Sequence, residues 1–315
     1  MLSIIHFIYE YFMQKINNNI AICVATFKRQ ELLKYCLSKI KPLEIPQKNS
    51  VALIIVDNDI NESAKVVFNL FEKEYPFPIY YFVEPKRGIA SARNRLVNEA
   101  LSISSNLICF IDDDEFPKKD WLIKHFSALI KFNADVVAGP VIPIANAEHI
   151  NISNFKSKLE TGYVPRHVAA GNVLFKSKLV DEQNLRFDLT YNLTGGEDFH
   201  FFDRSSSKKN HHIWVSDAII FEHITPDRKT KKYLFFRHFT GAINSVIQYR
   251  DKKSELQVWP HYTLKIIGKI FGSVIIFALY MVTFKNYRLE KCIIKLASVC
   301  GYVSGLLNII IERYR

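Results

Sequence analysis

Four consecutive acids, Asp112-Asp113-Asp114-Glu115, follow the apolar run Leu107-Ile-Cys-Phe-Ile111. Carboxylates this crowded repel and raise one another's pKa. A divalent cation removes the repulsion. Acids that leave coordination positions open suit Mg²⁺ or Mn²⁺ shared with a phosphate-bearing substrate. The plainer reading is a solvated acidic turn. A second acid pair, Glu197-Asp198, follows Gly195-Gly196. An acid near a metal site can act as general base toward a hydroxyl, or the pair simply favours a helix start. Arg87 and Arg93, on either side of Gly88-Ile-Ala-Ser91-Ala92, can make charge-assisted bonds to phosphate, or else face solvent. Asp57, in Val56-Asp57-Asn58-Asp59, can accept from a base imide or a ribose hydroxyl, as an acid at a strand end does in dinucleotide folds, or merely form a turn. His223, in Phe221-Glu222-His223, is an ordinary satisfied histidine or the imidazole that completes a carboxylate metal site.

The elements that must position these groups are legible over the first 111 residues. Short apolar, β-rich runs at 20–26, 51–56, 79–83 and 107–111 alternate with helical spacing at 29–40, 63–75 and 89–101. Continuous apolar strands alternating with helices predict a parallel sheet buried on both faces. Each strand ends in a polar cluster, and ligands in open α/β sheets bind beyond the carboxyl ends of the strands. Further on, the spacing predicts helices over 121–132 and 233–246, and strands over 135–141, 169–175 and 213–221.

Taken together and in this order, the motifs resemble those of the family 2 glycosyltransferases of the GT-A fold. The residues that carry the resemblance are Val24-Ala-Thr26-Phe27-Lys28-Arg29, Val56-Asp57-Asn58, Arg87-Gly88 with Ala92-Arg93-Asn94, the Asp112–Asp114 run and Gly196-Glu197-Asp198. The resemblance spans about residues 20–245. It implies a Rossmann-like α/β fold with a mixed, mainly parallel sheet flanked by helices. It also implies transfer of one sugar from a nucleotide diphosphate sugar to a glycan or lipid-linked acceptor hydroxyl, with inversion. By the same resemblance Thr26 and Arg29 would line the nucleotide pocket, Asp57 would hold the base, and Arg87, Arg93 and Asp113 would contact the nucleotide sugar. Asp112 and Asp114 would bind Mn²⁺ or Mg²⁺, with His223 as a further ligand. Asp198 would be the catalytic base and Glu197 its neighbour. The first motif departs from the usual Pro-Thr-Tyr or Pro-Ser-Tyr start. The QxxRW motif of processive members is absent, which argues for single-sugar transfer. A sugar-1-phosphate nucleotidyltransferase is the enzymatic alternative, but its Gly-rich N-terminal loop is missing. A non-catalytic membrane scaffold would not need the acids.

The composition places the enzyme rather than its chemistry. The 315 residues are 49% hydrophobic and 23% charged, with a net charge of +11, which excludes a disordered or low-complexity chain. Residues 228–315 hold 16 Lys and Arg against 4 acids, a net +12, so the first 227 residues sum to −1. A charge confined to an apolar tail, without a helix-turn-helix or RNA-binding signature, argues against nucleic acid. The tail holds two apolar stretches, 262–284 and 292–311, long enough to cross a bilayer. Two crossings would put the basic connection Lys285-Asn-Tyr-Arg288-Leu-Glu-Lys291 on the outer side, against the positive-inside rule. A helical hairpin in the interface of an anionic membrane, on its cytoplasmic face, avoids that conflict. Gly268/Gly272 and Gly301/Gly305 have the spacing of closely packed helices. Five cysteines without CxxC spacing give no disulfide framework or zinc site and fit a reducing compartment. The expected organisation is an N-terminal helix over 1–18, a catalytic domain over 19–245, and a membrane-associating helical region over 246–315.

Overall fold

The computed structural model describes residues 18–144, 157–309 and 311. The helix expected over 1–18 lies, but for its last residue, outside the described residues. The chain divides into two units, Met1–Asp188 with Glu197–His223, and Leu189–Gly196 with Ile224–Arg315.

The first unit is built on a seven-stranded sheet of order β3-β2-β1-β4-β8-β6-β9. Strands β1 (Asn19–Thr26), β2 (Ser50–Asp57), β3 (Ile79–Val83) and β4 (Leu107–Ile111) are parallel. Their connections carry helices α1 (Gln30–Ile40), α2 (Lys65–Phe71) and α3 (Ile89–Ser102), as the alternating sequence pattern requires. Ile22 and Val24 face one core with Leu33 and Leu37 of α1. Ala21 and Cys23 face the other with Leu96 and Val97 of α3. Both faces are buried, which is why these strands read as unbroken apolar runs. Cys23, Cys36 and Cys109 are buried free thiols within this packing.

Beyond β4 the sheet turns mixed. β8 (Asn172–Lys176) runs antiparallel to β4 and to β6 (Val136–Ala138), while β9 (His212–Trp214) is parallel to β6. Helix α4 (Trp121–Lys131) precedes β6, and α5 (Glu197–Ser207) precedes β9. A second sheet of order β5-β10-β7 joins β5 (Glu115–Pro117), β7 (Val141–Ile144) and β10 (Ile220–His223). The structure corrects two expected strands here. The run 135–141 breaks at Gly139-Pro140, because Gly139 lies against the Ala218 carbonyl and the Asn172 amide with no room for a Cβ. The run 213–221 is likewise two strands, β9 and β10, in different sheets. They are separated by a turn closed by Ala218 N donating to Val215 O at 3.3 Å.

The second unit is helical. Helix α6 (Lys231–Arg250) starts at Thr230, whose Oγ1 accepts from Tyr233 N at 3.2 Å. Helices α7 (Glu255–Thr283) and α8 (Asn286–Leu306) form a hairpin whose turn places Phe284 at φ +50°. The expected boundary between residues 245 and 246 falls inside α6. Of the two glycine pairs, Gly301 and Gly305 lie at a close approach of α8 to α6. A Cβ on Gly301 would meet the Phe239 carbonyl, and one on Gly305 would stand 2.9 Å from Val246 Cβ. Gly268 faces open space. Val246, Val258, Tyr262 and Leu306 make the unit's small core. Most of the hairpin's large apolar side chains are outside it, with Leu264 70%, Phe271 67% and Val274 61% exposed. Among the described residues one helix, α7, is long and apolar enough to cross a membrane.

Candidate active site

The acidic run leaves the carboxyl end of β4, where the neighbouring strand β1 ends at Thr26. Three of its four side chains are buried, and each is tied to a partner. Thr26 Oγ1 donates to Asp113 Oδ2 at 2.8 Å. Arg29, at the start of α1, donates through Nη1 to Asp113 Oδ1 at 3.1 Å and to Asp114 Oδ2 at 3.2 Å. Glu115 folds back to accept from Asp112 N at 2.9 Å, and it lies over Gly171, where a Cβ would stand 2.5 Å from its Oε1. Burial and the surrounding acids Asp112 and Asp114 push Glu115 well above the usual carboxylate range. Burial also raises Asp113, against the pull of Arg29 and Thr26. Asp112 is the outer member of the run, with 41% of its side chain exposed.

Arg93 joins this run to the second acid pair. From α3 it donates to Asp112 Oδ1 at 3.0 Å and closely to Glu197 Oε1, the first residue of α5. Burial pushes Glu197 up to about 7 in spite of Arg93. Its Oε2 has no hydrogen-bond partner among the described residues. Gly195 and Gly196, at φ +78° and +88°, make the turn into α5, a backbone that side-chain-bearing residues rarely adopt. Asp198 follows Glu197, half-buried. Its Oδ2 accepts from Ala170 N at 3.2 Å and its Oδ1 from Phe199 N at 2.8 Å.

His223 ends β10, and its N–H donates to the Asp114 carbonyl at 2.8 Å. Backbone pairing therefore brings the histidine beside the acidic run despite 108 intervening positions. Among the described residues no three His, Cys, Asp or Glu side chains form a ready-made metal cage. The donor set nevertheless fits a hard cation bound together with a diphosphate. Such ions need only one or two protein carboxylates and take their remaining oxygens from phosphate and water.

The structure separates the other expected residues. Arg87 is half-buried, its guanidinium carbon 3.3 Å from the centroid of the Phe27 ring. Arg29, Lys28, Asp59 and Ser63 line an open cleft of about 600 Å³ beyond the ends of β1 and β2. Lys28 takes φ +53° in the turn between β1 and α1. Arg93 is buried between Asp112 and Glu197. Asp57 ends β2. It is fully buried and accepts from Ala64 N at 2.6 Å, Tyr81 Oη at 2.9 Å and Asp59 N at 3.0 Å. Its carboxylate thus organises the turn after β2. Asn58 does the same next door, donating to the Glu84 and Lys86 carbonyls and accepting from Gly88 N.

Sequence reasoning missed Gly171 and Asn172, which support the acidic run from behind. Asn172 Oδ1 accepts from Trp121 Nε1 at 2.8 Å and lies 2.7 Å from His125 Nε2. Its Nδ2 donates to the carbonyls of Pro140 and Ala218. All of these partners are distant in sequence, so no local signal marks the residue.

Comparison with known proteins agrees with this arrangement. The sequence pattern described as Glycosyl transferase family 2 matches residues 21–182. The succinoglycan biosynthesis protein ExoM of Rhizobium meliloti is 27% identical over 71% of this chain and 73% of its own length. Glycosyltransferase AglE of Haloferax volcanii is 21% identical over 76% and 74%. Among solved structures, the mannosyltransferase PcManGT of Pyrobaculum calidifontis, in complex with GDP-Man and Mn²⁺, superposes with a TM-score of 0.63. It is 14% identical, over 97% of this chain and 94% of that one. S. aureus TarS 1-349 in complex with UDP-GlcNAc gives 0.54 at 12% identity, over 93% and 84%. A longer TarS chain is covered over only 39% of its length. At these identities the two solved proteins attest the fold, a GT-A-like mixed α/β sheet.

Proposed function

The chain belongs to glycosyl transferase family 2, and on that premise we propose that it moves one sugar from a nucleotide diphosphate sugar to a glycan or lipid-linked hydroxyl, inverting the anomeric centre. The observation that carries this reading is the Asp112–Arg93–Glu197 link. It ties the acidic run to the helix that begins with the proposed base.

Asp198 takes the proton of the acceptor hydroxyl. The acceptor oxygen bonds to the anomeric carbon from the face opposite the leaving group. The bond from that carbon to the diphosphate oxygen breaks, its electron pair stays on the nucleoside diphosphate, and the configuration inverts without an enzyme-bound sugar. The backbone N–H groups of Ala170 and Phe199 fix the direction of the Asp198 carboxylate. Asp113, itself held by Thr26, holds Arg29 at the mouth of the cleft, and Arg87, stacked on Phe27, is proposed to meet phosphate. Asp112 and Asp114 would hold Mn²⁺ or Mg²⁺, with His223 as a further ligand. When bound, the cation supplies charge that stabilises the leaving diphosphate. PcManGT, with GDP-Man and Mn²⁺ bound, supports this donor and metal class for the shared fold.

The second unit gives the proposed location. Its exposed apolar hairpin and basic turn of Lys285, Arg288 and Lys291 fit a helix pair lying in the interface of a membrane, at its cytoplasmic face. Calorimetry with UDP, GDP, CMP and dTDP, with and without Mn²⁺, tests the reading. Binding of one nucleotide that strengthens with Mn²⁺ is the expected result, and binding of none contradicts it.

A further inference from the structure

Helices α6, α7 and α8 enclose a pocket of about 300 Å³ within the second unit, lined by Arg237, His238, Gly241, Lys269, Ser298 and Tyr302. Its charges are of one sign. Lys269 Nζ stands 5.8 Å from the centroid of the Tyr302 ring. Lys265, one helical turn earlier, is 4.8 Å from the Tyr262 ring and 6.0 Å from Tyr302. Lys295 of α8 reaches across to α7, its Nζ 2.8 Å from where a Cβ on Gly272 would be. Burial first, and then Arg237 and Lys269, hold the His238 imidazole below its usual value. Among the described residues none of these five basic side chains has an acidic partner.

Arg237, Lys265, Lys269 and Lys295, the last two half-buried, gather without a counter-charge among the described residues; like charges repel one another, and the arrangement is relieved by an anion. The open space is of a size for a phosphate group with its ester substituents. What surrounds it is apolar: Ile267, Ile270 and Phe271, on the same helix as Lys269, are exposed. An anion attached to a hydrocarbon chain satisfies both surfaces, whereas free phosphate satisfies only one.

We propose that Arg237, His238 and Lys269, with Lys265 and Lys295 beside them, form a binding site for the phosphate of a lipid headgroup, whose acyl chains lie along the exposed side of the hairpin. This site rests on the reading that the second unit meets a bilayer, and it adds a defined lipid contact to that reading. It needs nothing from the catalytic acids. A Cβ at Gly241 would meet nothing within 4 Å, so this wall faces open space.

Native mass spectrometry of the full chain released from neutral maltoside micelles tests the site. The micelles carry phosphatidic acid, diacylglycerol, or inorganic phosphate in the buffer. Retention of one phosphatidic acid, with diacylglycerol and phosphate each retained roughly tenfold less, is expected from loss of a charge-assisted contact or of the apolar one. Arg237→Gln with Lys269→Gln should lower phosphatidic acid retention by roughly tenfold, and Lys269→Arg should keep it. Lys252→Gln with Lys253→Gln removes the same charge from the exposed turn between α6 and α7 and should leave retention unchanged. Equal retention by the two double variants overturns the site, as does phosphate held as well as phosphatidic acid. Sedimentation with phosphatidylcholine vesicles separates the two readings: failure of the wild-type chain to sediment overturns the hairpin's membrane contact, while the retention ratios judge the headgroup site.

Discussion

In the first unit the charges are inside. Asp113, Asp114, Glu115, Arg93 and Glu197 are all buried beside a sheet whose core is fully packed. In the second unit the apolar side chains are outside, along α7 and α8, while the cations around Lys269 stand without acids. Burying charge is costly unless each charge is paired, and exposing a long apolar face is costly in water. The first unit offsets its cost internally, through Arg29 and Arg93. The second has no internal remedy among the described residues, so its surface is explained by what it meets. The proposed chemistry belongs to one unit and the proposed membrane contact to the other, so substitutions in each should behave differently.

The largest effect on stability is expected where a buried pair is broken. Arg93→Gln leaves Glu197 and Asp112 facing each other with no cation between them. It should cost about 3–5 kcal/mol, read as a fall in the denaturation midpoint. A Glu197→Gln change in the Arg93→Gln background should restore part of that loss.

Next comes a pH effect from two buried histidines of the first unit. His125 Nε2 contacts Asn172 Oδ1, its Nδ1 is buried without a partner among the described residues, and burial holds its pKa down to about 4. His212 is held near 4 for the same reason, against the pull of Asp135. Unfolded histidine takes up a proton near 6.5, so the unfolded state binds more protons between the two values. Stability present above about pH 6.5 is therefore lost as pH falls toward about 4, by about 2–3 kcal/mol for His125. In urea titrations His125→Gln should flatten roughly half of that slope, with His212 keeping the rest.

Smaller still is the change at the α6–α8 crossing. Gly301→Ala pushes a methyl group against the Phe239 carbonyl and should destabilise by about 1–3 kcal/mol. Gly268→Ala, where a Cβ meets nothing, should be neutral or slightly stabilising on the same melt. The smallest change in stability is expected on the exposed face. Phe271→Ser with Val274→Ser should shift stability by less than about 0.5 kcal/mol while sharply reducing vesicle sedimentation. A large loss of stability from that pair would mean that the face is a packed surface and would end the contrast.

The same contrast decides what the sequence reveals. Strands β1 to β4 are legible because burial on both faces leaves unbroken apolar runs, and the acids that follow β4 are conspicuous for being incompatible with that burial. The hairpin is legible by its length and composition. The mixed part of the sheet is less so. Gly139-Pro140 and the turn before Ala218 interrupt runs whose apolar content alone reads as continuous strand. Asp57 was legible as an acid at a strand end, yet only the turn around it shows that Ala64 N, Asp59 N and Tyr81 Oη already occupy its oxygens. Arg93 likewise has a sequence neighbourhood that points to phosphate, whereas its partners come from α5 and the acidic run. Asn172 and Gly171 have meaning only through contacts distant in the chain.

The proposed transfer depends most directly on Asp198. The decisive measurement is the rate of sugar transfer by purified Asp198→Asn protein compared with wild type, with the donor that calorimetry identifies and Mn²⁺ present. Loss of the proton acceptor should lower that rate by about 10²–10⁴-fold, while nucleotide binding and the denaturation midpoint stay as in wild type. Transfer at the wild-type rate by the folded variant would contradict the assignment of Asp198 as the base.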